Sequence, residues 1–544
     1  MKKISQLIFL SAFLLLIGGC DKGFVEINTN PYAITDIDPA LLFAGSERTI
    51  KGNGWESEST VIQQFVNPYN LGATLAFNFN ENIDGFQNSA WDSYSNSTTA
   101  TGSLKEYTHI LNMLKGTTTR VNLQSMTRIM KAMVFMNIVD HYGSVPYFKA
   151  GLAYIEGQTE FFPSYDNDAT IYDDLYLEIT DALSKLDPAG DFVSADILYG
   201  THAYYSITTA AAQVAEWKKF GNSLLLRLGM RYSKSNPTKA ASIVAEAFAG
   251  GVMTSNNDNM FVVYDGTNFT NAGNDGLINN NPYYYYAAEP FVNQLKTTND
   301  PRSKYKIASF ANPLTPLNDA NPKTDIASQF GVPVGIRSDN LTVANGYRGP
   351  KGGGYDYSQL NVNIAASITT PSFWMTYAQT SLLLAEAANR SWIAGGDAAA
   401  KTYYENGIKA DMDVYTLILA NIKPNTKVPV LPSVSVAEQD AYIAQAGVLY
   451  DPATALNQIN TQYWIASFLN GMEAWANYRR TGFPVLIRNT YNDALLANGG
   501  DGYVHRFTYP DAELTKNKAN YQAAVALLPG GVDDLINRVF WDTK

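Results

Sequence analysis

The sequence predicts a mainly α fold, in which tetratricopeptide-like helix pairs are overlaid by large irregular loops. Three observations predict it. Apolar residues recur at three- and four-residue spacing in several stretches. Two of these stretches are followed at once by a short Gly- or Pro-containing turn and a second helix. Long segments rich in Asn, Gly and Thr separate the helical blocks.

The elements follow in order. Leu123, Met126, Met130, Met133 and Val134 mark one amphipathic face, which stops near Gly143 and Pro146. Ile171, Leu175, Ile179, Leu183 and Leu186 mark a second, behind a cap at Asp168. Val214, Trp217, Leu224, Leu225 and Leu228 mark a third, which Gly221 weakens. It ends near Tyr232, and after Ser-Asn-Pro a partner helix runs over 238–248 to Gly250 and Gly251. A later pair joins a helix over 373–392 to one over 398–415 through Ala-Gly-Gly-Asp. Ala385, Ala387, Ala388 and Ala398 to Ala400 allow close approach within that pair. The methionines at 113, 126, 130, 133 and 136 recur on helical faces and read as packing. The loop layer comprises 67–84, 255–282 and 309–370; its aromatics (Phe77, Phe79, Tyr264, Phe269, Tyr355, Tyr357) argue for order, and 332–336 reads as a local strand.

The first residues read as an export signal. Lys2 and Lys3 precede an apolar run over 7–17, too short for a bilayer span of about 20 residues. Gly18 and Gly19 then lead to Cys20, the only cysteine of the chain. This pattern is that of a bacterial lipobox, so Cys20 is the expected lipid attachment site. Each buried CH₂ of an acyl chain contributes about 0.8 kcal/mol, and several chains anchor stably. The expected organisation is a signal peptide over 1–19, a tether over 20–38 and one globular domain over 39–544, since no Pro/Ser-rich linker divides the rest.

Composition restricts the function. Of 544 residues only 16% are charged, while 12% are aromatic, including 35 Tyr. The surface is therefore built of amides, hydroxyls and phenols. With 39 basic against 50 acidic side chains the net charge is −11, which repels a nucleic-acid backbone. There is no G-x-S-x-G, H-E-x-x-H, Walker or dinucleotide motif. The Gly-rich stretch at 346–354 lacks the spacing of a phosphate cradle and reads as a flexible loop. His109, His141, His202 and His505 do not pair at ligand spacing, so neither metal nor cofactor is expected. His141 beside Asp140 reads as an oriented base or as a helix-end histidine, and the Gly143 stop favours the second. A carboxylate pair for glycoside hydrolysis stays open, because sequence does not give carboxylate separations.

The aromatic and amide enrichment has a positive reading. Phenol and indole faces stack on sugar rings, and Asn amides supply donors and acceptors to hydroxyls. Residues 268–286 concentrate both and end in four consecutive tyrosines, which cannot all face one core. Asn281, Tyr283, Tyr284 and Tyr285 are therefore candidate ligand contacts, with Asn78 and Phe79 of the first loop. The competing reading is that Asn and Gly satisfy turn geometry while the tyrosines pad the scaffold. Trp91 reads equally as a stacking platform and as the first core residue of a helix.

Several motifs in order resemble the SusD/RagB family of outer-membrane nutrient-binding lipoproteins. They are Ile27-Asn28-Thr29-Asn30-Pro31, Asp38-Pro39-Ala40-Leu41-Leu42 and Asp140-His141-Tyr142-Gly143-Ser144-Val145-Pro146-Tyr147. Arg227 to Arg231, Asp300-Pro301-Arg302, Met375-Thr376-Tyr377-Ala378 and Leu384-Ala385-Glu386-Ala387-Ala388 follow. Glu473-Ala474-Trp475 with Arg479-Arg480-Thr481-Gly482-Phe483-Pro484 closes the series; Gln379 departs from the family's usual Glu. The resemblance implies a helical superhelix at the cell exterior that holds an oligosaccharide over a TonB-dependent, SusC-like barrel transporter. It implies binding without catalysis. A peptide ligand in the same kind of complex is the alternative, and an anchored glycoside hydrolase a more distant one.

Overall fold

A computed structural model describes residues 37–50, 57–66, 68, 90–94, 102–271, 274, 285–334, 341–489 and 493–544. Its longer helices are α1 (Pro39–Thr49), α2 (Ser103–Met113), α3 (Val121–Tyr142), α4 (Asp168–Lys185), α5 (Ala210–Arg231) and α6 (Pro237–Gly250). They continue as α7 (Glu289–Thr297), α8 (Tyr377–Asn389), α9 (Gly396–Asn421), α10 (Val436–Ala444), α11 (Ala455–Ala466) and α12 (Gly471–Thr481). Four pairs, α3/α4, α5/α6, α8/α9 and α11/α12, form the tetratricopeptide-like scaffold. Contacts of α4 with α5, α5 with α8 and α8 with α11 join one pair to the next.

Local chemistry sets the ends. Pro237 opens α6 behind Asn236, whose side chain accepts from the Lys239 amide, and Gly143 closes α3 at φ 74°. The cap of α4 is Asn167 rather than Asp168: the Asn side chain accepts from the Thr170 amide, and Asp168 is the first helical residue. The helix expected over 373–392 is a strand followed by a helix. Thr376 forms a capping box with Gln379, which starts α8 one residue later and leaves 372–375 extended. Gly221, expected to weaken the helix, also permits close packing of α5 on α4, because a Cβ there would lie 2.6 Å from Leu183 Cδ2. Gly407 does the same for α8 against α9.

The strands are short: β1 (Phe65–Val66), β2 (Met260–Val262), β3 (Tyr286–Ala287), β4 (Ile307–Ala308), β5 (Pro350–Lys351), β6 (Gly354–Tyr355), β7 (Gln359–Leu360) and β8 (Ser372–Met375). An antiparallel sheet orders β1-β3-β7-β4, β2 pairs with β8, and β5 with β6. The Gly-rich stretch expected to be a flexible loop is thus partly a hairpin, and 332–336 supplies one bridge, Val332 to Ala288.

Buried ion pairs bind the scaffold internally. Glu386 of α8 receives both terminal nitrogens of Arg480 of α12, at 2.7 and 2.8 Å, and Arg390 Nε at 2.8 Å. Glu473 of α12 receives Arg231 of α5 at 3.2 and 2.6 Å, and Arg231 Nε reaches Asp140 of α3 at 3.2 Å. Asp140 also accepts from Tyr172 and from Trp541 Nε1. Arg302 links Asp300 to Asp411 of α9 in the same way. His141 is fully buried between Glu58 Oε1 and the Asn137 carbonyl, the helix-end role rather than that of an open base. Gln379 accepts from Arg227 and donates to Ser467, so this departure from the family pattern is a packing residue.

Two outcomes follow from these pairs. Arg480→Met, which leaves Glu386 without its main partner, costs about 3–5 kcal/mol in chemical denaturation, whereas the double variant Glu386→Leu/Arg480→Met loses much less. Burial alone raises a carboxyl pKa, but Arg480 and Arg390 hold Glu386 down at about 2. Its stabilisation is complete above the unfolded-state carboxyl value of about 4.3 and is lost as pH falls through the folded value. A thermal-unfolding series from pH 6 to 2 therefore falls less steeply for Glu386→Gln than for the parent.

Candidate functional site

The four-stranded sheet organises the loop side. Phe65 and Val66 of β1 lie opposite Ala287 and Tyr286 of β3. Val66 directly precedes, Tyr285 directly follows and Val334 directly precedes a stretch outside the described residues. Val66, Tyr286, Val332, Val334 and Tyr357 share one small buried cluster. Val66 before residue 67, Tyr286 just after residue 284, and Val334 and Leu341 on either side of 335–340 therefore meet in one cluster.

A cleft of about 160 Å³ opens beside that cluster, lined in part by Glu289, Asn293, Lys296, Phe330, Tyr347 and Arg348. Residues 330–332 are fixed by backbone bonds: Ser358 donates to the Phe330 carbonyl at 2.8 Å, and the Val332 carbonyl accepts from Glu289 at 2.8 Å. Gly331 permits this threading, since a Cβ there would lie 2.4 Å from Glu289 Cα. Phe330 is 38% exposed, with Arg348 Cζ at 3.8 Å and Lys296 Nζ at 4.1 Å from its ring centre. Arg348 is held by the Asp356 carboxylate at 2.6 Å and Lys296 by the Gln329 carbonyl at 3.0 Å. Burial pushes the Glu289 carboxyl above its ordinary range. Among the described lining residues Glu289 is the one carboxylate, and none is Ser, Cys or His. The cleft offers a partly exposed aromatic ring already overlain by two fixed cations, with further donors and acceptors around it, a surface for recognition.

The sequence-predicted residues divide. Cys20, Asn78, Phe79, Asn281, Tyr283 and Tyr284 lie outside the described residues. Trp91 opens a short 3₁₀ turn and is half-buried among Tyr94, Tyr142, Tyr165 and Tyr509, at 5.0 to 6.2 Å between ring centres. Tyr285 is 7% exposed and packs with Phe65 and Leu360 below the sheet. Tyr286 is fully buried, and its hydroxyl accepts from the Tyr355 amide. Sequence reasoning missed Phe330, Tyr347 and Arg348. The available signal was an aromatic and a cation set between Gly346 and Gly349, inside the stretch read only as a failed phosphate cradle. Among the described residues no group of His, Cys, Asp or Glu is placed to hold a metal ion.

Comparison with known proteins now places the chain. A family model described as starch-binding associating with outer membrane, of SusD-like type, matches residues 31–510. A solved chitin-binding protein is 26% identical with a TM-score of 0.72, over 93% of this chain and 100% of its own. A Bacteroidetes SusD-like structure is 25% identical with a TM-score of 0.74 over the same shares. A chitin-binding SusD homologue from Flavobacterium johnsoniae, 22% identical with a TM-score of 0.68, covers 93% of this chain and 98% of its own, and supports the fold. No match is found among curated proteins. The helix pairs, the buried ion-pair motifs and the family model agree: this chain belongs to the SusD-like family of outer-membrane-associated proteins.

Proposed function

We propose that this protein is a surface-anchored lipoprotein that captures a neutral oligosaccharide and passes it to a TonB-dependent barrel transporter. The observation that carries the reading is the starch-binding, outer-membrane family model, which spans residues 31–510. The chitin-binding relative at 26% identity supports a glycan as ligand. The loop-side chemistry is compatible with it, since Phe330 and Tyr347 present aromatic surface beside fixed polar groups. Asn78, Phe79, Asn281, Tyr283 and Tyr284 complete the proposed contact set on the residue types alone, as amides and aromatics outside the described residues.

The reading includes no hydrolysis and an acyl anchor on Cys20. No helix among the described residues is long and apolar enough to cross a membrane. The 20–38 segment then serves as tether for a single unit over 39–544.

Calorimetry of the mature protein against malto- and chito-oligosaccharides, with short peptides as controls, tests the ligand class. Phe330→Ala and Tyr347→Ala are each expected to weaken glycan binding about tenfold, roughly 1.4 kcal/mol, without loss of thermal stability. Tight peptide binding with none to glycans overturns the glycan reading, and product release in an overnight digest overturns the non-catalytic one. Cys20→Ser is expected to move the protein from the membrane fraction to the soluble fraction, and co-purification of wild type with a barrel transporter checks the partner.

A further inference from the structure

A second cleft, which shares no lining residue with the Phe330 site, lies between the chain that leaves α9 and the segments around 321–324 and 361–364. It encloses about 370 Å³ and, among the described residues, no ionisable side chain lines it. Its wall is aliphatic: Ile364, Leu419, Ile422 and Val428 face it, and no aromatic ring does. Its polar groups are amides and one hydroxyl, from Asn321, Thr324, Asn361, Asn363 and Asn425. The size falls in the range of small-molecule sites, roughly 300–1,000 Å³.

The amides form a fixed frame with unused capacity. Asn425 Nδ2 donates to Asn363 Oδ1 at 2.9 Å, and Asn425 Oδ1 accepts from the Lys427 amide at 3.1 Å. Asn361 Oδ1 accepts from the Asn363 amide at 3.2 Å, and its Nδ2 donates to the Lys304 carbonyl at 2.9 Å. Asn363 is only 8% exposed, yet its Nδ2 has no partner. An unmet buried donor is destabilising, and a ligand acceptor at this position would relieve it. The side chains of Asn321 and Thr324, at the mouth, supply further donors and acceptors.

We infer that this cleft binds the acetamido group of an N-acetylated neutral sugar. That group has a methyl for the Ile364–Leu419–Ile422–Val428 wall, a carbonyl that accepts from an amide donor such as Asn363 Nδ2, and an N–H for an amide or hydroxyl oxygen. An unsubstituted sugar would leave the aliphatic wall unfilled and has no aromatic face here to stack on. A charged sugar would enter a cleft without a counter-charge. The inference rests on the glycan reading above and narrows it to acetamido sugars.

The test uses the full mature chain, with chitotetraose and maltotetraose as probes and ligand-observed saturation-transfer NMR with calorimetry as readouts. Chitotetraose is expected to bind, with its acetyl methyl protons the most strongly saturated. Val428→Trp, which fills the cleft from its half-exposed rim, is expected to weaken it at least tenfold, and Thr324→Val severalfold, both with unchanged melting temperature. Chitotetraose binding that neither variant weakens overturns the inference and keeps the glycan reading. Maltotetraose binding without chitotetraose binding does the same. Binding of neither sugar overturns both.

Discussion

The scaffold depends on a set of guanidinium–carboxylate pairs sealed inside it. Glu386 with Arg480, and Glu473 with Arg231 and Asp140, tie α8 to α12, α12 to α5, and α5 to α3. Each carboxylate is enclosed, so burial raises its proton affinity, and only the facing cations keep Glu386 and Glu473 ionised. Such pairs contribute little over apolar residues of the same shape, but a pair missing one member is severely destabilising. In this stacking of the helix pairs the buried charges of Glu386, Glu473 and Asp140 each meet a cation.

This explains what the family motifs are. Asp140, Arg231, Asp300, Arg302, Glu386, Glu473 and Arg480 are the charged residues at the centre of several of the motifs that carry the resemblance, and every one is buried in an ion pair or its hydrogen bonds. None lines the Phe330 cleft or the aliphatic cleft. The motifs specify a scaffold, and the same scaffold can carry different ligand surfaces. The Asn- and Tyr-rich segments, whose composition first suggested carbohydrate, fall in sequence between the scaffold helices.

The sheet joins the two layers. β1, β3, β7 and β4 have only two residues each, yet they bring together chain from positions 65, 286, 307 and 359. Their pairing fixes Phe330 and Gly331 against Glu289, so that the loop-side cleft rests on backbone hydrogen bonds. Rigid support under an exposed aromatic lowers the ordering cost of binding.

The amphipathic periods around Leu123, Ile171 and Val214 determined the helices by themselves, because burial of one face every 3.6 residues is a local property. Gly143 and Gly251 determined where two helices stop, and Pro237 where one begins. Thr376 shows the limit: the apolar run over 373–375 suits helix or strand, and pairing with β2, more than a hundred residues earlier, decided for strand. The binding clefts were even less legible. Trp91 and Tyr285 have the residue type of ligand contacts, yet their neighbours enclose them, and Phe330 reaches solvent only because 330–332 is drawn across the sheet. Composition determined which chemistry the surface could offer. Only the convergence of distant segments decided which aromatics and amides face a ligand, since exposure is a property of neighbours that sequence spacing does not encode.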